Sequence, residues 1–248
     1  SGNNNDWTSN NLTESDISVD SPTNNFCTFN PLDAEGNDNT YSEGNLKVYL
    51  HNSGEDERSG ATMGMSSGKW YYEAYMQQSS GGTLYAGNIY MGIKAIEGFD
   101  SDYWVIRGNG GEHQTTGGTQ GTISGLSWTT GDIVGVAVDM DNSKWWVSVN
   151  GVWFGSPTAG TSPIHSDLSG TVVPTTMNAN GGERHTFVAN FGQDSSFAAH
   201  KTPQGNQDGN GIGDFYYTPP TGYLALCTSN LPDVAVIPSE HFNTVLYT

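Results

Sequence analysis

Residues 206–214 read Asn-Gln-Asp-Gly-Asn-Gly-Ile-Gly-Asp, close to the calcium loops written D-x-D-x-D-G-x-x-D. Asn206, Asp208, Asn210 and Asp214 take the ligand positions and Gly211 the turn position. Calcium takes six to eight hard oxygens, and short side chains on alternate residues can converge on one ion. Two of the first three aspartates of that pattern are asparagines here, which lowers the charge available. A metal-free turn held by the Asn and Asp side chains is therefore favoured over a calcium site. Gly64-Met65-Ser66-Ser67-Gly68 fits the G-x-S-x-G pattern of a nucleophile elbow, but that elbow needs a helix after the serine. The following Lys69–Gln77 alternates as a strand, so a turn is expected. The six histidines, at 51, 113, 165, 185, 200 and 241, show no metal-binding spacing. Glycosidase chemistry needs paired carboxylates. Glu73 stands alone between Tyr71 and Tyr75, and a structural hydrogen-bonding role is expected for it.

Aromatic and cationic side chains are the other chemically telling residues. Tyr85, Tyr103 and Trp104 fall in stretches that read as long loops, with Arg107 beside them in a chain that has only 8 lysines and arginines. An arginine there can grip a carboxylate or pair with one of the chain's many acids. In Trp145-Trp146 one indole points inward and the other outward if the strand is regular. An outward Trp146 is either a binding platform or a residue covered by a loop.

The elements that must position these residues are strands. Gly131–Gly155 carries Val134, Val136 and Val138 on one face by period-2 alternation. A polar turn at Asp139–Ser143 then leads to Trp145, Val147 and Val149 on one face. Asn150-Gly151 is a strong hairpin signal. These three strands predict an antiparallel meander at the centre of an all-β fold. With 33 glycines and no sustained 3.6-residue apolar period, little helix is expected. Further strands are predicted at 26–32, 46–51, 61–66, 69–77, 89–96, 172–177, 186–191 and 223–227. Residues 52–60 read as a charged turn, and 78–88, 98–121, 156–169 and 195–214 as loops. The core is predicted to contain Trp70, Tyr72, Val134, Val136, Val138, Trp145, Val147, Val149 and Phe191.

The formal charge of −18 would repel phosphate backbones and anionic lipid heads, which argues against nucleic-acid partners. No apolar run reaches the 18 residues of a membrane span, and no membrane insertion is expected. The start of the chain has neither the basic region nor the apolar core of a signal peptide. Asn11-Leu12-Thr13 is a glycosylation sequon. Cys27 and Cys227 are the only cysteines. They are too few for a four-thiolate metal site, and they come close only if the first and last strands pair.

In order along the chain stand Gly68-Lys69-Trp70-Tyr71-Tyr72-Glu73, Met91-Gly92-Ile93, Gly131-Asp132 with Gly135-Val136 and Asp139, Val149-Asn150-Gly151, Val173-Pro174, and Asn190-Phe191-Gly192-Gln193. Together these resemble the SPRY domain, the core of the B30.2 module, over roughly residues 45–195. The resemblance implies a bent antiparallel β-sandwich, concanavalin A-like in shape. It also implies a non-enzymatic module that binds proteins or peptides through loops at one edge. The flanks, Asn5-Asp6-Trp7-Thr8, Asp20–Asn25, Asn30-Pro31-Leu32-Asp33, Gly213–Tyr217, Pro219–Cys227 and Leu231-Pro232, resemble SPRY-containing bacteriophage structural proteins.

That resemblance leads to a set of expectations. Residues 1–44 are an N-terminal arm and edge strand packed on the core, 45–230 the sandwich, and 231–248 an extended tail or linker. The chain is one domain of a longer virion protein, on the virion or outside the cell. It is a non-catalytic recognition or decoration module whose partner is a host-surface component, protein or glycan, or a neighbouring virion protein. The expected partner-binding residues are Tyr85, Tyr103, Trp104, Arg107 and Trp146. A carbohydrate-binding lectin is the alternative, and a glycan hydrolase using Glu73 stands behind it.

Overall fold

A computed structural model describes residues 10, 18–36, 39–50, 57–78, 89–98, 102–178 and 185–232. Tyr85 and nearly all of the 78–88 and 231–248 segments lie outside the described residues, as does the Asn11 sequon. Among the described residues there is no α-helix, only short 3-10 turns such as Met140–Asn142.

Among the described residues fifteen strands form two sheets. The first sheet contains β1 (Phe29–Glu35), β4 (Glu57–Ala61), β13 (Val172–Asn178), β6 (Ile89–Ala95), β7 (Tyr103–Arg107), β8 (Glu112–Thr115) and β9 (Gly118–Thr122), in that spatial order. The second runs β12 (Val152–Phe154), β11 (Lys144–Val149), β10 (Ile133–Asp139), β5 (Lys69–Gln78), β14 (His185–Asn190), β3 (Lys47–Leu50) and β2 (Thr40–Ser42). These ladders are antiparallel. The exception is β15 (Leu224–Ala225), which lies parallel to β5 at Trp70 and Tyr71, beyond the last residue paired with β14.

The alternation seen in the sequence sets the core. Trp70, Tyr72, Ala74 and Met76 of β5 point inward with Val134, Val136 and Val138 of β10 and Trp145 and Val147 of β11. They meet Met91 and Ile93 of β6 and Trp104 and Ile106 of β7. Burial of each such side chain stabilises by about 1.5–3 kcal/mol. Every residue of the predicted core belongs to this cluster, with Val149 half-buried at its margin. Gly92 is needed where β6 meets β7, because a Cβ there would lie 2.2 Å from the carbonyl oxygen of Trp104.

The opposite face of the second sheet is also covered. Tyr71, Ala137 and Trp146 pack under Phe26, Phe215, Tyr223, Ala225 and Cys227, and Tyr75, Ile133 and Val188 under Phe197. The 195–227 segment therefore forms an irregular third layer and is not a solvent loop. Polar side chains at the end of β14 and just before this segment hold the backbone that leads into it. Both Asp194 oxygens accept amides, from Ser196 and Ala198. Asn190 accepts the Gly192 and Asp194 amides.

The chain does meet itself near Cys27 and Cys227, through an isolated bridge. The Cys27 N–H donates to the Leu226 carbonyl at 2.9 Å, and Phe26 bridges Cys227. No disulfide forms, and both thiols are free and buried. Successive residues face opposite sides, so Cys27 enters the core between the sheets while Cys227 joins Phe26 in the outer layer.

Two predicted loops are strands. Residues 57–61 form β4 because Ser59 turns inward, its hydroxyl 3.0 Å from that of Tyr41. The 98–121 stretch contains β7 and the β8–β9 hairpin, closed through Thr116-Gly117. β4, β8 and β9 show no apolar alternation, so composition masks them, whereas Tyr103-Trp104-Val105-Ile106 of β7 is a short strand-forming run set among glycines and polar residues.

Candidate functional site

β7 carries three of the predicted partner-binding residues, and its regular pleat separates them. Trp104 enters the core and is only 3% exposed, where a loop position had suggested a surface residue. Its indole N–H donates to Asp167 Oδ1 at 3.0 Å. Tyr103 and Arg107 lie on the other face of the strand. Tyr103 is half-buried against Tyr90, Val105 and Met177. Arg107 reaches Glu112 Oε2 at 3.0 Å. Gln114 and Thr119 donate to the other oxygen of Glu112. These two hydrogen bonds, with Arg107 beside them, hold the Glu112 carboxyl below its usual range. Arg107 is thus paired within its own sheet.

Trp146 points away from the sandwich interior, as alternation requires, but it is fully buried. Its indole N–H donates to the Thr161 carbonyl at 2.9 Å, and Tyr223 packs edge-on against it. The third layer and the 156–169 loop cover it, so it offers no binding platform.

The Asn206–Asp214 residues do not fit calcium. Asp208 Oδ1 accepts the amides of Asn210 and Ile212, and Oδ2 accepts the Ala225 amide and the Asn230 side chain. Asp214 serves the amides of Ser195 and Gly205 and the Ser195 hydroxyl. The Asn206 oxygen accepts from Thr218, and the Asn210 amide donates to Asn230. These side chains tie the turn to different neighbours, and the oxygens of Asn206, Asp208 and Asp214 that a cation would need are already engaged. The segment is an Asx-held turn that carries the chain towards β15.

Glu73 has the structural role expected of it. Tyr71 Oη and the Tyr217 amide donate to Oε1, and the Asn190 side chain and Tyr216 amide to Oε2. Burial pushes its carboxyl up to about 7, against the pull of these four donors. The G-x-S-x-G stretch leads into β5, with Met65 bridged to Val172.

One constellation escaped the sequence. His113 on β8 and His165 in the 156–169 loop lie 52 residues apart, yet His113 Nδ1 is 3.0 Å from His165 Nε2. Their rings are nearly perpendicular, with centres 4.7 Å apart. Asp167 Oδ1 lies 3.7 Å from His165 Nδ1. Trp145 stacks parallel to His165, and reciprocal main-chain hydrogen bonds tie His165 and Ile164 to Trp145. Burial, reinforced by His113, lowers His165 to about 4, while Asp167 opposes the shift. Burial also lowers His113. No linear spacing announces this pair, because only strand pairing and loop docking bring it together.

The outer rim of this region is β9, the terminal strand of its sheet. Gly118, Thr119, Gln120 and Thr122 are exposed. Trp104–Asp167 and His113–His165 fasten β7 and β8, and with them the sheet that ends at β9, to the 156–169 loop.

No known family's sequence model matches the chain, and no curated protein sequence does. Solved structures do. The SPRY domain of human HERC1 superposes with a TM-score of 0.50 at 19% identity, over 65% of this chain and 96% of that one. The TRIM65 PSpry domain gives 0.47 at 14% identity, over 66% and 91%. With its two packed antiparallel sheets, the chain has a SPRY-like β-sandwich fold.

Proposed function

We propose that the chain is a non-catalytic recognition or decoration module of a bacteriophage particle, displayed on the outside of the virion. It meets a protein partner, on the host surface or in the virion, through β9 and the 156–169 loop. The observation that carries this reading is the exposed rim at β9. Its outer edge has no neighbouring strand among the described residues. Such an edge offers main-chain donors and acceptors to an extended segment of another protein. The rim stands on a rigid sandwich, which is how binding loops and edges are commonly held. The phage assignment draws its support from the flanking motifs around Asp20–Asn25 and Pro219–Cys227 and from the acidic composition.

A glycan partner is less well supported, because Trp104 and Trp146, the expected stacking residues, are enclosed. Hydrolysis by Glu73 is disfavoured because four donors already occupy its carboxylate.

Imaging purified particles that carry a tagged copy tests the location, and cross-linking on those particles identifies the neighbour. Thr122→Lys, which places a charge on the rim as native edge strands do to block pairing, is expected to abolish the cross-link while leaving the fold intact. A chain confined to infected cytoplasm and missing from particles overturns the virion assignment. An unchanged cross-link in Thr122→Lys overturns the β9 surface.

A further inference from the structure

We propose that His113 and His165 form a binding site for a divalent transition metal ion of the copper, nickel or zinc type. The site is distinct from the Asn206–Asp214 turn and independent of the partner that the β9 rim recognises.

Two distances carry the proposal. Ring nitrogens 3.0 Å apart, each about 2.0–2.1 Å from one ion, subtend an angle of about 95° at that ion. That angle suits neighbouring ligands in tetragonal or octahedral geometry and lies near the tetrahedral one. The separation of the ring centres departs from that of a straight hydrogen bond. A straight N–H···N bond of this length would put the centres about 5.3 Å apart, whereas rings aimed at a common ion put them about 4.7 Å apart. The observed separation is 4.7 Å. Both distances match two rings aimed at one ion.

The surroundings prepare both ligands. Asp167 Oδ1 lies 3.7 Å from His165 Nδ1, too far for a direct hydrogen bond, and its charge favours a proton on that nitrogen, which makes Nε2 the ligand atom. A carboxylate behind the imidazole is the usual outer partner of a metal-binding histidine. Trp104 fixes Asp167, and the stacked Trp145 fixes the His165 ring. His113 is held between Ile106 of β7 and Gly121 of β9. Gly121 leaves room for the far side of the ring, since a Cβ there would come within 2.8 Å of His113 Nε2. Among the described residues no group of three or more His, Cys, Asp or Glu side chains could hold a metal ion, so the site rests on the two imidazoles. The remaining positions belong to water, and the bound ion is exchangeable. Imidazole ligation ranks copper(II) tightest among these ions.

The test uses the full chain with copper(II), nickel(II) or zinc(II) chloride as the probe. Electron paramagnetic resonance of the copper(II) form is expected to show two coupled nitrogens, and the melting midpoint is expected to rise with metal concentration and fall back with chelator. His113→Gln and, separately, His165→Asn are expected to remove both effects. Circular dichroism of each metal-free variant verifies that it is folded, and His113→Gln on the half-buried hairpin remains informative if His165→Asn is unstable. Asp167→Asn, at an exposed side chain, is expected to weaken binding by about 10–100-fold. No midpoint shift up to millimolar metal, or a copper signal unchanged in folded His113→Gln, overturns the proposal.

Discussion

The amide of Tyr217 donates to the carboxylate of Glu73 at 2.7 Å, across 144 residues of sequence. With the Tyr216 amide and the Asn190 side chain, this contact fastens the third layer to the centre of β5. The layer in turn closes over Trp146 and Tyr71. One buried acid thus links the sheet that builds the core to the segment that hides its back.

Glu73 makes stability depend on pH. Its folded-state value of about 7 lies above the ordinary carboxyl value of 4.5. Between those values the folded form keeps a proton that the unfolded chain has released. The contribution is fully present below about pH 4.5 and is lost as pH rises through about 7, amounting to roughly 3 kcal/mol. Glu73→Gln, which cannot ionise, is expected to flatten the change in unfolding free energy across that window. Urea melts at pH 5, 6, 7 and 8 measure it, and a slope equal to the parent's would count against this assignment.

The third layer also contains a local strain. Phe197, Ala198 and Ala199 have φ angles of 51°, 55° and 65°, a short left-handed run that costs L-residues about 1–2 kcal/mol each. Asp194, Ser196 and the cover provided by Phe197 hold it in place. Ala199 is exposed, so Ala199→Gly loses no packing. It is expected to raise stability by about 0.5–1 kcal/mol after the entropy that glycine adds to the unfolded chain. Chemical denaturation detects a change of that size, and destabilisation would show the residue to be unstrained.

The sandwich was legible in the sequence wherever alternation was apolar. Val134–Val138, Trp145–Val149 and Trp70–Met76 announced their faces, and the Asn150-Gly151 turn was plain. β4, β8 and β9 were not legible, because Glu, Ser, Thr, Gln and Gly carry little periodic signal, and such strands are fixed by their neighbours. The site was read less well than the fold. Trp104 looked like a loop aromatic only because β7 had not been recognised. Trp146 was correctly turned outward, but nothing local shows that residues 156–161 and Tyr223 fold over it. The His113–His165 contact is purely tertiary.

Trp104 therefore responds as a core residue. Trp104→Ala removes a large buried side chain and leaves Asp167 without its indole donor. The expected cost is about 3–5 kcal/mol, seen as a lower melting midpoint. Loss of partner binding by this variant would follow from unfolding, whereas Thr122→Lys should lose binding at an unchanged midpoint. Trp104→Ala melting like the parent would return the residue to the surface.

Asp208 offers the clearest separation of a structural acid from a metal ligand. Both its oxygens are engaged, by the amides of Asn210, Ile212 and Ala225 and by the Asn230 side chain. The Ala225 contact matters most, because it secures β15 beside Tyr71 of β5. Asp208→Ala leaves one buried and three part-buried donors without their acceptor, and each unsatisfied group costs up to about 1–3 kcal/mol before relaxation or water restores part of it. A net loss of about 2–4 kcal/mol is expected. Calcium should not alter this outcome, since an ion would have to displace hydrogen bonds that already hold the turn. A ligand that favours only the folded state must raise the midpoint once its concentration passes the dissociation constant. Melts of the parent in millimolar calcium and in chelator are therefore expected to coincide, with Asp208→Ala equally low in both. A midpoint that climbs with calcium in the parent and not in Asp208→Ala would show that the carboxylate exchanges its amides for an ion.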